Sequence, residues 1–136
     1  YMSSIKINGK LAIEGKIEFG PLGYQQVFVS HSIPITITTS GFSYNLYQIG
    51  TNNPSLSCYR GTNYDFIVNT SSHPFALRAS SGDTSTTIEG AYNNNPLNGK
   101  ANGEVIMFTP NASTPSTLVY QCVLHPSMIG TITILD

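Results

Sequence analysis

The chain has 136 residues, a formal net charge of −1 and only 10% charged residues. That length matches one domain large enough to bury a core without disulfide staples. The charge leaves no basic patch for nucleic acid, and no apolar run reaches the length of a membrane-spanning helix. Ser, Thr, Asn and Gly supply the solubility that Lys and Glu usually provide. This predicts an exported domain, periplasmic, extracellular, on a cell surface or on a virus particle. The chain opens at Tyr1 with no signal-peptide pattern, which predicts a processed product or a piece of a longer protein.

Residues 1–30 carry Lys6, Lys10, Glu14, Lys16 and Glu18. Ile5 and Ile7 alternate around Lys6, Asn8-Gly9 marks a turn, and Leu11 and Ile13 resume the alternation, so a small hairpin is predicted. A short strand follows at 16–19, Gly20-Pro21-Leu22-Gly23 breaks the pattern, and 27–29 reads as another strand. From Ile33 the reading is all β. Ile33, Ile35 and Ile37 alternate with Pro34, Thr36 and Thr38, a half-buried strand whose early Pro suits an edge or a strand start. The alternation of 44–49 predicts a second strand, with a loop at Thr51-Asn52-Asn53-Pro54. Further strands are predicted at 56–59, 64–68 and 75–78. Residues 80–103 lack a long apolar period and predict a loop with brief strand pieces. Strands at 105–109, 117–123 and 131–135 complete the chain, with a turn at 110–116. No window sustains a 3.6 period, and short strands at this spacing with turn signals between them predict an all-β sandwich or barrel.

The chemistry is concentrated in Tyr120-Gln121-Cys122-Val123-Leu124-His125-Pro126-Ser127-Met128. A thiolate, an imidazole and a thioether lie within seven residues there. Copper favours two His nitrogens and a Cys sulfur in one plane with a weak axial Met. The second imidazole must come from His31 or His73. His73 fits better: it follows the 64–68 strand and its polar turn, and Pro74 fixes the backbone after it. Cys122 is placed at a strand end, where Pro126 breaks the pattern and stiffens the loop. His31 has no companion ligand and reads as a surface or turn residue. Two other readings stay open. Cys58, Cys122, His73 and His125 could form a zinc tetrahedron, or Cys58 and Cys122 a disulfide. Leu56 and Cys58 share one strand face, which predicts a core position for Cys58.

The spacing Cys122-x2-His125-x2-Met128 resembles the short ligand loop of cupredoxins, in its amicyanin-type form. A wider resemblance runs from Leu46 to Leu135. Asn53-Pro54-Ser55-Leu56, Tyr59-Arg60-Gly61, Tyr64-Asp65-Phe66, His73-Pro74-Phe75 and Gly130-Thr131-Ile132-Thr133 are similar to cupredoxin-like modules of marine bacterial and viral surface proteins. The resemblance implies His73, Cys122, His125 and Met128 as copper ligands. In the family an Asn follows the first His and pins the Cys loop; here Pro74 stands in its place, which leaves the support of the ligands undefined.

By this resemblance residues 31–136 are expected to form an all-β Greek-key β-sandwich of the cupredoxin-like type, and 1–30 a β extension that makes contacts. The expected function is one-electron transfer by a mononuclear copper site, with a redox partner protein. The alternative is a structural or adhesive surface module with an empty, storage or stabilising metal site and neighbouring subunits, or a homo-oligomer formed through residues 1–30. No Gly-x-Ser-x-Gly elbow, phosphate loop or His-Glu-x-x-His pattern is present, so no enzyme activity is expected. Asn69-Thr70-Ser71 and Asn111-Ala112-Ser113 match the glycosylation acceptor pattern.

Overall fold

A computed structural model describes residues 31–136 throughout and, before them, four short strands. The chain divides into two units, Tyr1–Ile33 and Pro34–Asp136. In the first, β1 (Lys6–Ile7) pairs antiparallel with β2 (Ile13–Glu14), placing Ile7 opposite Ile13. A hairpin is the element expected here, although a two-residue turn at Asn8-Gly9 would set Ile7 opposite Lys10 rather than Ile13. β3 (Lys16–Glu18) pairs antiparallel with β4 (Tyr24–Gln26). The strand expected at 27–29 lies outside the described residues.

From Ile33, at the boundary of the units, the chain forms β5 (Ile33–Ser40), β6 (Ser43–Leu46), β7 (Leu56–Tyr59), β8 (Tyr64–Val68), β9 (Phe75–Arg78), β10 (Ala91–Tyr92), β11 (Glu104–Phe108), β12 (Thr117–Cys122) and β13 (Ile129–Leu135). They form a five-stranded sheet, β10-β11-β8-β5-β6, and a four-stranded sheet, β7-β13-β12-β9. The chain passes repeatedly between the sheets, and the order within each is non-sequential, as a Greek-key sandwich requires. The period of two explains the core. Ile35, Ile37, Tyr44, Phe66, Val68, Ile106 and Phe108 are buried from the first sheet, and Leu56, Cys58, Phe75, Leu118, Tyr120, Cys122, Ile132 and Ile134 from the second. Aromatic rings join the layers: Phe75 meets Phe66 at 5.8 Å and Tyr44 at 5.2 Å between centroids across the sheets, and stacks on Tyr120 of its own sheet at 5.3 Å.

The expected strand 44–49 ends instead at Leu46. The alternation continues in sequence, but Gln48 has φ +65° and the amides of Ile49 and Gly50 both donate to the Leu46 carbonyl, so the chain turns. Residues 80–103 contain only β10, as expected of a loop with brief strand pieces. Short polar side chains order this loop locally. Asp83 accepts from the amides of Ser85 and Thr86, Asn95 from those of Leu97 and Asn98, and Asn94 bonds both backbone groups of Leu77.

Candidate metal centre

Strand register brings the distant histidine to the cysteine. Phe75 is the Cα partner of Cys122 across β9 and β12. His73, two residues before Phe75, therefore lies just beyond the end of β12, where the Cys122 chain leaves the sheet. Leu118, Tyr120 and Cys122 occupy the core face of β12, so the thiol points inward. The loop after it is closed by two backbone bonds: the Met128 amide donates to His125 O (2.9 Å), and the Cys122 amide donates to Met128 O (2.9 Å). This folds His125 back beside Cys122 and buries the Met128 side chain completely.

His73 Nδ1 and His125 Nδ1 are 3.0 Å apart. Cys122 Sγ lies 3.9 Å from the first and 3.7 Å from the second. These three residues form a group whose donor atoms all lie within 4.8 Å of one another. A trigonal divalent ion with bonds of about 2.0 Å to nitrogen and about 2.3 Å to sulfur separates nitrogen from sulfur by about 3.7 Å and the two nitrogens by about 3.5 Å. The sulfur–nitrogen spacings agree, and the imidazoles need only part slightly. A thiolate with two imidazoles is also a donor chemistry that copper accepts. The residues present fit the ion.

The support for the candidate ligands, undefined in the sequence, comes largely from backbone carbonyls. The Pro74 carbonyl accepts from the Val123 amide at 3.0 Å, tying the first ligand segment to the Cys loop. The buried Tyr44 hydroxyl lies 2.8 Å from His73 O and 3.1 Å from Pro74 O, and Thr70 Oγ1 donates to His73 O at 2.8 Å. Burial first, and then the adjoining Cys122 thiol, hold the Tyr44 hydroxyl far above the ordinary phenol range, so it remains a neutral donor. On the other side, the Phe75 amide donates to Lys100 O at 2.8 Å. Gly99, at φ +68°, lets that loop approach Pro74 so closely that a Cβ there would stand 2.8 Å from the proline Cβ.

Phe42 was not anticipated. Gly41 and Phe42 form the two-residue turn between β5 and β6, with Gly41 at φ +59°, the position that a type II′ hairpin turn gives to glycine. The turn carries the Phe42 ring to 4.9 Å from His125 and 5.8 Å from His73, edge-on to both, while 66% of the residue stays exposed. The available signal was a large apolar residue beside Gly41, between two alternating segments.

Of the other candidates, His31 is exposed and outside the donor group. Both cysteines are free, so the disulfide reading is set aside. Cys58 is buried on β7 and is not in the donor group either, which removes it from a zinc tetrahedron. Burial pushes its thiol up to about 12. Cys58→Ala should therefore cost about 1 kcal/mol, typical of a point change, and leave any metal spectrum unchanged. Urea denaturation paired with a visible spectrum checks this; a lost spectrum would return Cys58 to the site.

No protein-family model matches the chain, and no curated protein matches it. Solved structures do. Reduced auracyanin from Roseiflexus castenholzii is similar at 16% identity and a TM-score of 0.46, over 77% of this chain and 98% of that one. A purple cupredoxin from Nitrosopumilus maritimus is similar at 17% identity and a TM-score of 0.45, over 76% and 99%. A copper-containing nitrite reductase from Thermus scotoductus SA-01 is similar at 18% identity and a TM-score of 0.49, over 90% of this chain but 25% of that one. The fold itself, an all-β sandwich of a five-stranded and a four-stranded sheet, rests on the strand order of the chain. Among the described residues no helix is long and apolar enough to cross a membrane.

Proposed function

We propose that residues 31–136 form a copper-binding domain that carries single electrons, with His73, Cys122, His125 and Met128 as the ligands. The observation that carries this reading is the convergence of one sulfur and two imidazole nitrogens within 4.8 Å at a strand end. A bound copper ion supplies a one-electron redox couple. The protein supplies the rest. Cys122 offers the thiolate from the rigid end of β12, and His73 is held through its carbonyl by Tyr44 and Thr70. The Cys122–Met128 backbone bond holds the loop closed, and the buried Met128 thioether is the fourth ligand. Ligands on rigid, hydrogen-bonded elements move little when the charge of the site changes.

Transfer requires a partner to approach. His125 is only partly buried, the Phe42 ring lies against it, and Leu124 beside it in the chain is 62% exposed. An apolar rim around the ligand suits brief docking with a redox protein, and this favours electron transfer over a purely structural role. The domain acts as a carrier rather than an enzyme, in an exported setting. Adding copper(II) to the purified protein tests the reading. An intense visible band from thiolate-to-metal charge transfer is expected, and a spectrum of weak bands alone would leave the surface-module alternative.

The extension 1–30 serves contact rather than chemistry in this reading. It contains no Cys and no His, and a lone hairpin is marginal in water, so its strands need a surface. A chain lacking residues 1–30 should stay folded and bind copper but change its assembly. Sedimentation decides the point: an unfolded truncated chain, or the same state of association as the full chain, would overturn it.

A further inference from the structure

Arg78 is an anomaly. It closes β9 and is 4% exposed, yet among the described residues no carboxylate pairs with it. Its partners are neutral. Nε and Nη2 both donate to Pro96 O, at 2.9 and 2.8 Å, and Nη1 donates to Gln121 Oε1 at 2.9 Å. A buried cation without a counter-ion is costly, and a core of uncharged residues would avoid that cost. The place of Arg78 suggests what it does. Gln121 is fully buried and immediately precedes Cys122. Its Oε1 accepts from Arg78 and from the Gly82 amide at 2.8 Å, while its Nε2 donates to Ser81 Oγ at 3.1 Å and to Pro126 O at 2.8 Å. All four bonding positions of the amide are used, and one of them grips the loop between His125 and Met128. The guanidinium thus reaches the ligand loop through a single side chain.

We propose that Arg78 is a positioning and tuning residue of the metal centre: through Gln121 it holds the ligand loop, and its buried charge raises the reduction potential. This rests on the copper reading above. With one thiolate and two neutral imidazoles, the centre carries one more positive charge oxidised than reduced. A cation nearby disfavours the oxidised form, and in a water-poor interior that effect is weakly screened.

The test compares copper-loaded wild type with Arg78→Met and Arg78→Lys by spectroelectrochemistry. Arg78→Met removes the charge at similar length and should lower the midpoint potential while the charge-transfer band persists. Arg78→Lys keeps the charge without the planar fork; its potential should stay nearer wild type, with a band shifted by the loosened loop. If Arg78→Met does not fold, Arg78→Gln takes its place with the same expectation. Equal potentials in wild type and the neutral variant would overturn the proposal, as would equal shifts in the neutral and lysine variants. Wild type with no copper band would instead sink the copper reading itself, and the tuning role with it.

Discussion

Cys122→Ser should abolish the intense visible band that copper(II) is expected to give with the native chain. The band requires a thiolate bound to the ion, and Cys122 is the only thiol in the donor group; Cys58 is buried elsewhere with a thiol pushed up to about 12. The serine hydroxyl is a poor ligand for copper and has no comparable low-energy transition. Loss should therefore be essentially complete, not a partial reduction. The change is nearly isosteric and conserves the backbone bond from residue 122 to Met128 O, so the fold should persist by circular dichroism. A Cys122→Ser protein with an undiminished band would show that the copper sits elsewhere.

Copper should also raise stability strongly. The three donor atoms are brought together only by the folded sandwich: His73 and Cys122 are far apart in sequence, and strand pairing of β9 with β12 joins them. An ion that binds this arrangement and not the unfolded chain adds about 2.7 kcal/mol at a free concentration one hundred times its Kd. For a domain of this size that is a rise of several degrees in Tm. The sign of the pH dependence follows from the ligands, which bind in their deprotonated forms. As pH falls, protons compete with the ion, so the copper-dependent increment shrinks while metal-free stability follows its own course. Thermal melts with and without saturating copper, repeated at acid and neutral pH, measure the increment directly. Identical melting temperatures at neutral pH would support an unused site.

Much of this architecture was legible in the residues alone, because strands with one buried face repeat with a period of two. Ile35 and Ile37, Tyr64, Phe66 and Val68, and Leu118, Tyr120 and Cys122 all occupy the core faces that their alternation indicates. The donors Cys122 and His125 were legible for another reason: they are close in the chain, so their chemistry is visible at short range. His73 was accessible by elimination among few histidines and by its position after a strand. The coarse position of the loop at 80–103 followed from the same logic, since no apolar period runs through it.

What the chain alone could not show depends on contacts between segments distant in sequence. The alternation of 44–49 continues past the end of β6, and only the turn bonds to the Leu46 carbonyl end the strand there. Pro74 in place of an Asn left the ligand support open; the folded chain meets that need with the Pro74 carbonyl, the Tyr44 hydroxyl and the Gln121 amide. Phe42 is an ordinary hairpin residue until sheet packing carries it over the imidazoles. Arg78 reads as a surface residue by type, since arginine is mostly exposed, and becomes buried because the loop through Pro96 lies over it. The sequence by itself determined most of the strands, their core faces and the candidate donors Cys122 and His125, because each is encoded by local periodicity or local spacing. Tertiary structure alone decided the distances between the donors, the groups that hold them and the charge buried behind them, because those arise from strand register and from loops closing over the sheet.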